Sequence, residues 1–108
     1  MPKRFVAIFL MTVALAAGAQ ELPTLRLLIK DGRFYPEVLK APANTKFKLA
    51  LKNEGVAPEE FESDELKKEK VLAPGAESFL IFQPLKPGTY KFVGEFHPLT
   101  AQGRLVVE

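Results

Sequence analysis

The sequence predicts an all-β fold: a Greek-key antiparallel β-sandwich of about seven short strands, following an N-terminal signal peptide. Three observations carry that prediction. Short runs with apolar residues at every second position recur along the chain. Clusters of Gly, Pro, Asn and Asp separate them. No helical period of useful length appears after residue 19.

The elements follow in chain order. Residues 25–30 (LRLLIK) form a strand closed by Asp31-Gly32, a hairpin-turn signal. Pro36 and Pro42 bracket residues 37–41, which restricts that stretch to a short or edge strand. Residues 45–53 (TKFKLALKN) make the clearest strand, with Phe47, Leu49 and Leu51 on one face and Lys46, Lys48 and Lys52 on the other. After the break at Asn53-Glu54-Gly55, residues 60–63 are a short strand or extended loop. The charged stretch 64–70 (DELKKEK) reads as a helical turn or a solvated loop. Ala73-Pro74-Gly75 is a turn. In residues 77–83 (ESFLIFQ) four successive apolar residues predict burial on both faces. The turn 84–88 leads to a strand over 89–96, with Tyr90, Phe92 and Gly94 on one face, and residues 104–108 are the last strand.

The first segment is for targeting. Lys3 and Arg4 precede an uncharged, mostly apolar run over 5–17, and Ala17-Gly18-Ala19 has the small-x-small form of a cleavage site. The run is shorter than the roughly 20 apolar residues that span a bilayer. No Cys follows the cleavage site, which excludes a lipid-modified form. The expected product is a periplasmic, soluble single domain over residues 20–108. Lys3 and Arg4 leave with the leader, so the 15 basic residues fall to 13 and balance the 13 acidic ones. The precursor pI of 8.9 is therefore no argument for nucleic acid.

The residue inventory narrows the chemistry. There is no Cys and a single His, which excludes disulfides and thiolate-bound metal clusters. Ser63 and Ser78 lie in no nucleophile-elbow motif, and no Gly-rich phosphate loop is present. The chain reads as non-enzymatic. The segment Gly94-Glu95-Phe96-His97-Pro98 carries the only imidazole, and Glu59-Glu60-Phe61-Glu62 is an acidic run. If the two loops share one end of the sandwich, one nitrogen and several oxygens converge. The candidate metal ligands are His97, Glu95, Glu62 and Glu60. Glu60 and Glu62 alternate on one strand face, and Glu95 and His97 are likewise two apart. Imidazole with carboxylates suits iron, copper(II), zinc or manganese. Against this stand plainer roles: His97 capping a backbone carbonyl, the glutamates as solvated charges, Glu69 and Lys70 as a surface pair, and Tyr90, Phe92 and Phe96 as core.

The stretch YKFVGEFHPLTAQGRLVV resembles the last hairpin of a cupredoxin, which reads aromatic-x-aromatic-x-Cys-x-x-His-Pro-x-Met, then Gly and an apolar strand. Tyr90, Phe92, His97, Pro98 and Gly103 match that pattern. Gly94 stands at the copper-binding Cys position, Thr100 stands near the Met, and Glu59 or Glu60 stands in place of the first His. Three of the four ligands of a blue-copper site are thus absent, and the resemblance implies no type 1 copper centre. EEFES, EKVLAPG, PLKPGTYKFVGEFHP and TAQGRLVVE are similar to a Cys-free branch: the cupredoxin domain of EfeO-type iron-uptake proteins and small periplasmic partners of bacterial high-affinity iron permeases. That resemblance implies a cupredoxin-like sandwich, a metal ion of iron or copper as ligand, and a membrane iron permease or other periplasmic uptake protein as partner. The alternative is a metal-free interaction module that docks onto a periplasmic or membrane partner. A ferroxidase-like enzyme has too few nitrogen ligands here.

Overall fold

The computed structural model describes residues 22–108, so the leader assigned to residues 1–19 lies outside the described residues. Nine strands form two sheets, and the described residues contain no helix. In chain order they are β1 (Thr24–Lys30), β2 (Arg33–Tyr35), β3 (Val38–Ala41), β4 (Phe47–Asn53), β5 (Glu59–Ser63), β6 (Lys68–Leu72), β7 (Glu77–Phe82), β8 (Gly88–Gly94) and β9 (Gln102–Val107). One sheet has the order β2-β1-β4-β7, the other β3-β9-β8-β5-β6. This is the expected all-β sandwich, with two strands more than the sequence revealed.

The two extra strands have separate causes. β2 has three residues and exists because Asp31-Gly32 closes a tight hairpin. Both residues have positive φ, 52° and 70°, the backbone of a two-residue type I′ turn. β6 replaces the helical turn or loop expected over 64–70: only the reversal at 64–67 is a turn, and Lys68–Leu72 pairs antiparallel with β5. It is an edge strand, and charged side chains suit an edge because they discourage further pairing. The sandwich is also mixed rather than purely antiparallel. β1 pairs parallel with β4, and β3 parallel with β9. β2 and β3 belong to different sheets, so the chain crosses over between β1 and β4. A crossover, not a hairpin, is what parallel neighbours need.

β4 behaves as its alternation predicts, burying Phe47, Leu49, Leu51 and Asn53. β7 departs from expectation. It is the outer strand of its sheet, only Phe82 is fully buried, and Phe79 is 54% exposed. Its apolar run therefore has one covered face, not two.

The core lies between the sheets. Phe34, Phe61 and Phe92 cluster with ring centroids 5.0–6.2 Å apart, and Phe47 stacks on Phe82 at 4.8 Å. Such pairs add about 0.5–1.5 kcal/mol each beyond the area they bury. The Phe34–Phe61–Phe92 cluster joins β2, β5 and β8, and β5 and β8 lead directly into the segments bearing the candidate ligands.

Candidate functional site

β5 divides its side chains by alternation. Glu59, Phe61 and Ser63 point inward and are buried; Glu60 and Glu62 point outward. The sequence left Glu59 and Glu60 open as occupants of the inward position, and Glu59 takes it at 2% exposure.

A buried carboxylate needs partners, and Glu59 has three. Its Oε1 accepts the backbone N–H groups of Glu60 at 3.0 Å and Phe96 at 2.9 Å. Its Oε2 lies 2.5 Å from Nδ1 of His97. The pair ties β5 to the β8–β9 loop, so the two segments do meet at one end of the sandwich. They meet through Glu59, which was not among the candidate ligands.

The rest of the loop is pinned. His97 N–H donates to Gly94 O at 3.0 Å, and Ala101 N–H to His97 O at 2.8 Å. The His97 ring lies over Gly32, where an added Cβ would stand 2.9 Å from its Cγ. Thr100 Oγ1 donates to Gly32 O at 2.7 Å, fixing that contact. On the other side, Asn53 is buried and donates to the carbonyls of Ala57 and Leu72 while accepting from Gly55 N–H. That network holds the loop leading into Glu59.

Glu95 and His97 do not share a strand face. β8 ends at Gly94 and both residues sit in the turn beyond it, where period-two alternation no longer holds. Glu95 lies instead beside Glu62 on the outer face of β5, close enough to shift its titration. Glu69 joins them from β6, opposite Glu62 in register. Ligand oxygens of Glu60, Glu62 and Glu69 lie within 4.8 Å of one another. Three of the four candidate ligands, Glu60, Glu62 and Glu95, are thus gathered on one outward face. His97 lies apart from them in the turn beyond β8, its ring against Glu59 and Gly32 and partly exposed. Among the described residues Glu69 forms no ion pair with Lys70; they are strand neighbours and face opposite ways.

The crowded carboxyls hold protons unusually well. The hydrogen bond that protonated Glu62 donates to Glu95, with loss of solvation and the charges of Glu95, Glu60 and Asp64, pushes Glu62 up to about 7. Glu60 is also raised, by desolvation first and then by Glu69.

Two missed residues had signals in the sequence. Phe61 is the apolar residue of that strand, and Glu59 shares its parity, a pointer that the short strand bounded by a loop left unresolved. Glu69 would have followed from reading 68–72 as a strand.

A family model described as the cupredoxin-like domain matches residues 3–107. The chain belongs to the cupredoxin-like domain family. An uncharacterized protein of Rickettsia prowazekii (strain Madrid E), RP394, is 42% identical over 82 residues, covering 76% of this chain and 66% of that protein. The chain thus spans just under two thirds of that relative's length. Among solved structures, a purple cupredoxin from Nitrosopumilus maritimus aligns over 78% of this chain and 99% of its own, at 20% identity and TM-score 0.59. Auracyanin from Roseiflexus castenholzii aligns over 82% and 99%, at 14% identity and TM-score 0.67. The metal binding domain of the Cu(I)-exporting P-type ATPase CopA of Streptococcus pneumoniae D39, solved with Cu(I), aligns over 79% and 84%, at 14% identity and TM-score 0.69. At these identities the likeness is one of fold.

A cupredoxin-like fold raises the question of type 1 copper, and these residues do not fit it. The chain has no thiolate. A Cβ on Gly94 would stand 2.5 Å from the Ala101 Cβ and 3.0 Å from the Glu59 Cδ, so no side chain can replace the missing Cys without rearrangement. Glu59 and His97 touch at hydrogen-bond distance, and an ion between them needs each donor about 2.0–2.2 Å away on either side. The position is closed by a carboxylate–imidazole pair.

Proposed function

We propose that this cupredoxin-like protein is a non-enzymatic periplasmic carrier that binds a metal ion as cargo, iron first and copper(II) second, and serves metal uptake alongside a membrane permease. The observation that carries this reading is the convergence of Glu60, Glu62 and Glu69, with Glu95 beside them, on the outer face of β5. Carboxylate oxygens are hard donors and favour iron(III) over softer ions. A half-exposed set of oxygens at the surface exchanges its ion readily, which suits hand-over more than storage. The likeness to EfeO-type iron-uptake domains in EEFES and GEFHP supports the same cargo, and the leader-like residues 1–19 support export. The structural neighbour solved with Cu(I) keeps copper in the comparison as the second ion.

Equilibrium dialysis against Fe(III)-citrate, Cu(II) and Zn(II) tests the reading. The expected result is one iron per chain, lost in the Glu62→Gln, Glu69→Gln double variant. Equal retention by wild type and double variant overturns it.

A second reading has its own observation. Val56 (93% exposed), Leu99 (89%) and Phe96 (48%) are large apolar side chains from the two loops that meet at His97. On that reading the chain is a metal-free module docking a periplasmic or membrane partner through this end. Dialysis with no metal retained would favour it.

A further inference from the structure

The two sheets present outer faces of unlike charge. The 13 basic and 13 acidic residues of 20–108 balance overall. Glu60, Glu62 and Glu69 lie on the outer face of the β3-β9-β8-β5-β6 sheet. The outer face of the β2-β1-β4-β7 sheet carries the opposite sign. By alternation Arg26 and Lys30 of β1 and Lys48 and Lys52 of β4 point out from it, and Glu77 of β7 is the one carboxylate among its outward strand residues. Lys52 pairs with Glu54 at 3.7 Å and stands opposite Glu77 in register, so both acids serve the Lys52 end. Among the described residues Arg26, Lys30 and Lys48 form no ion pair.

Apolar side chains are interleaved with these cations. Tyr35, Leu28 and Lys52 form one cross-strand row, Arg26, Ala50 and Phe79 the next, and Thr24, Lys48 and Ile81 the third. Leu28, Tyr35 and Phe79 are exposed. Lys48 Nζ lies 5.2 Å from the centre of the Phe79 ring. Thr24, Arg26, Lys48 and Phe79, with Glu77 and Ser78, line a groove of about 360 Å³. An acidic polypeptide answers the cations alone. An anionic bilayer answers both sets of groups, with phosphates for Arg26 and Lys48 and the boundary between headgroups and acyl chains for Leu28, Tyr35 and Phe79. We infer that the outer face of the β2-β1-β4-β7 sheet docks on anionic phospholipid, a headgroup phosphate seating between Arg26 and Lys48 while the Phe79 ring enters the interface. Docked this way, the sandwich keeps its carboxyl cluster on the face turned from the bilayer. The inference uses none of Glu60, Glu62 or Glu69, so it stands or falls separately from the cargo reading.

All nine strands and the core between them lie within residues 22–108, so the test uses the chain from residue 20, free of the apolar run 5–17. The probes are vesicles of phosphatidylcholine alone and of phosphatidylcholine mixed with phosphatidylglycerol. Wild type is expected to co-sediment with the anionic vesicles only, and less as salt rises. The Arg26→Gln, Lys48→Gln double variant is expected to attach about tenfold more weakly or worse. Phe79→Ser is expected to attach several-fold more weakly, and melting temperatures confirm that both variants are folded. The Glu62→Gln, Glu69→Gln double variant is expected to attach as wild type does. Soluble polyglutamate is the control for an acidic protein partner. Equal attachment to neutral vesicles, attachment unchanged in either the Arg26→Gln, Lys48→Gln variant or Phe79→Ser, or no attachment by folded wild type, whether or not it binds polyglutamate, overturns the inference.

Discussion

Glu59 is the residue on which the chain's departure from a copper site turns. It is a buried carboxyl group that accepts from two backbone amides and pairs with Nδ1 of His97, and removing it leaves these part-buried groups without that partner. Glu59→Ala is expected to lower stability by about 3 kcal/mol, the combined scale of lost charge-assisted hydrogen bonds and orphaned buried donors. Urea unfolding checks this; a loss under about 1 kcal/mol would mean that water replaces the carboxylate freely. Gly94 complements it. Gly94→Ala forces a Cβ against Ala101 and the Glu59 carboxyl carbon, and is expected to cost about 1–3 kcal/mol through overpacking. The sequence made Gly94 and His97 conspicuous by their motif. It left Glu59 and Glu60 unresolved because a short strand bounded by a loop does not announce its parity. Only the burial of Phe61 fixes which glutamate turns inward.

At the scale of elements, β5 separates two chemistries. Its inner face carries the Glu59–His97 pair and its outer face the carboxyl cluster shared with β6 and the start of the β8–β9 loop. Folded Glu62 and Glu60 hold protons at pH values where the unfolded chain has released them, relative to an ordinary value of 4.5. The stability this contributes is fully present below that ordinary value and is lost as pH rises through about 7, the Glu62 value. The metal-free melting temperature is therefore expected to fall between those limits at low salt. Glu62→Gln is expected to flatten that fall, and a profile unchanged by the substitution would contradict the assignment.

Edge strands were the least legible elements. β6 was hidden by its charges, and β7 was over-read because four apolar residues in a row look like a central strand. Its true exposure predicts unequal costs: about 3–5 kcal/mol for Phe82→Ala, stacked on Phe47, against less than about 1 kcal/mol for Phe79→Ala. Calorimetry of the two variants compares them directly. The parallel pairings β1–β4 and β3–β9 had no sequence signal at all. Alternation identifies a strand's faces, not its neighbours.

At the scale of the whole molecule, the protein keeps the cupredoxin-like sandwich and relocates its polar chemistry. The position where a blue-copper protein holds its metal is filled by side chains that bond to one another. Carboxylates gather on the outside of the same strand, where a hard cation can reach them. The melting temperature with and without Fe(III)-citrate, in wild type, His97→Ala and the Glu62→Gln, Glu69→Gln double variant, tests this most directly. An ion that binds only the folded state raises the midpoint by mass action, by about 10 °C or more at a hundredfold excess over its Kd for a domain of this size. The account predicts that rise in wild type and in His97→Ala, and its loss in the double variant. A rise lost in His97→Ala but kept in the double variant, or no rise at all in folded wild type, would contradict it.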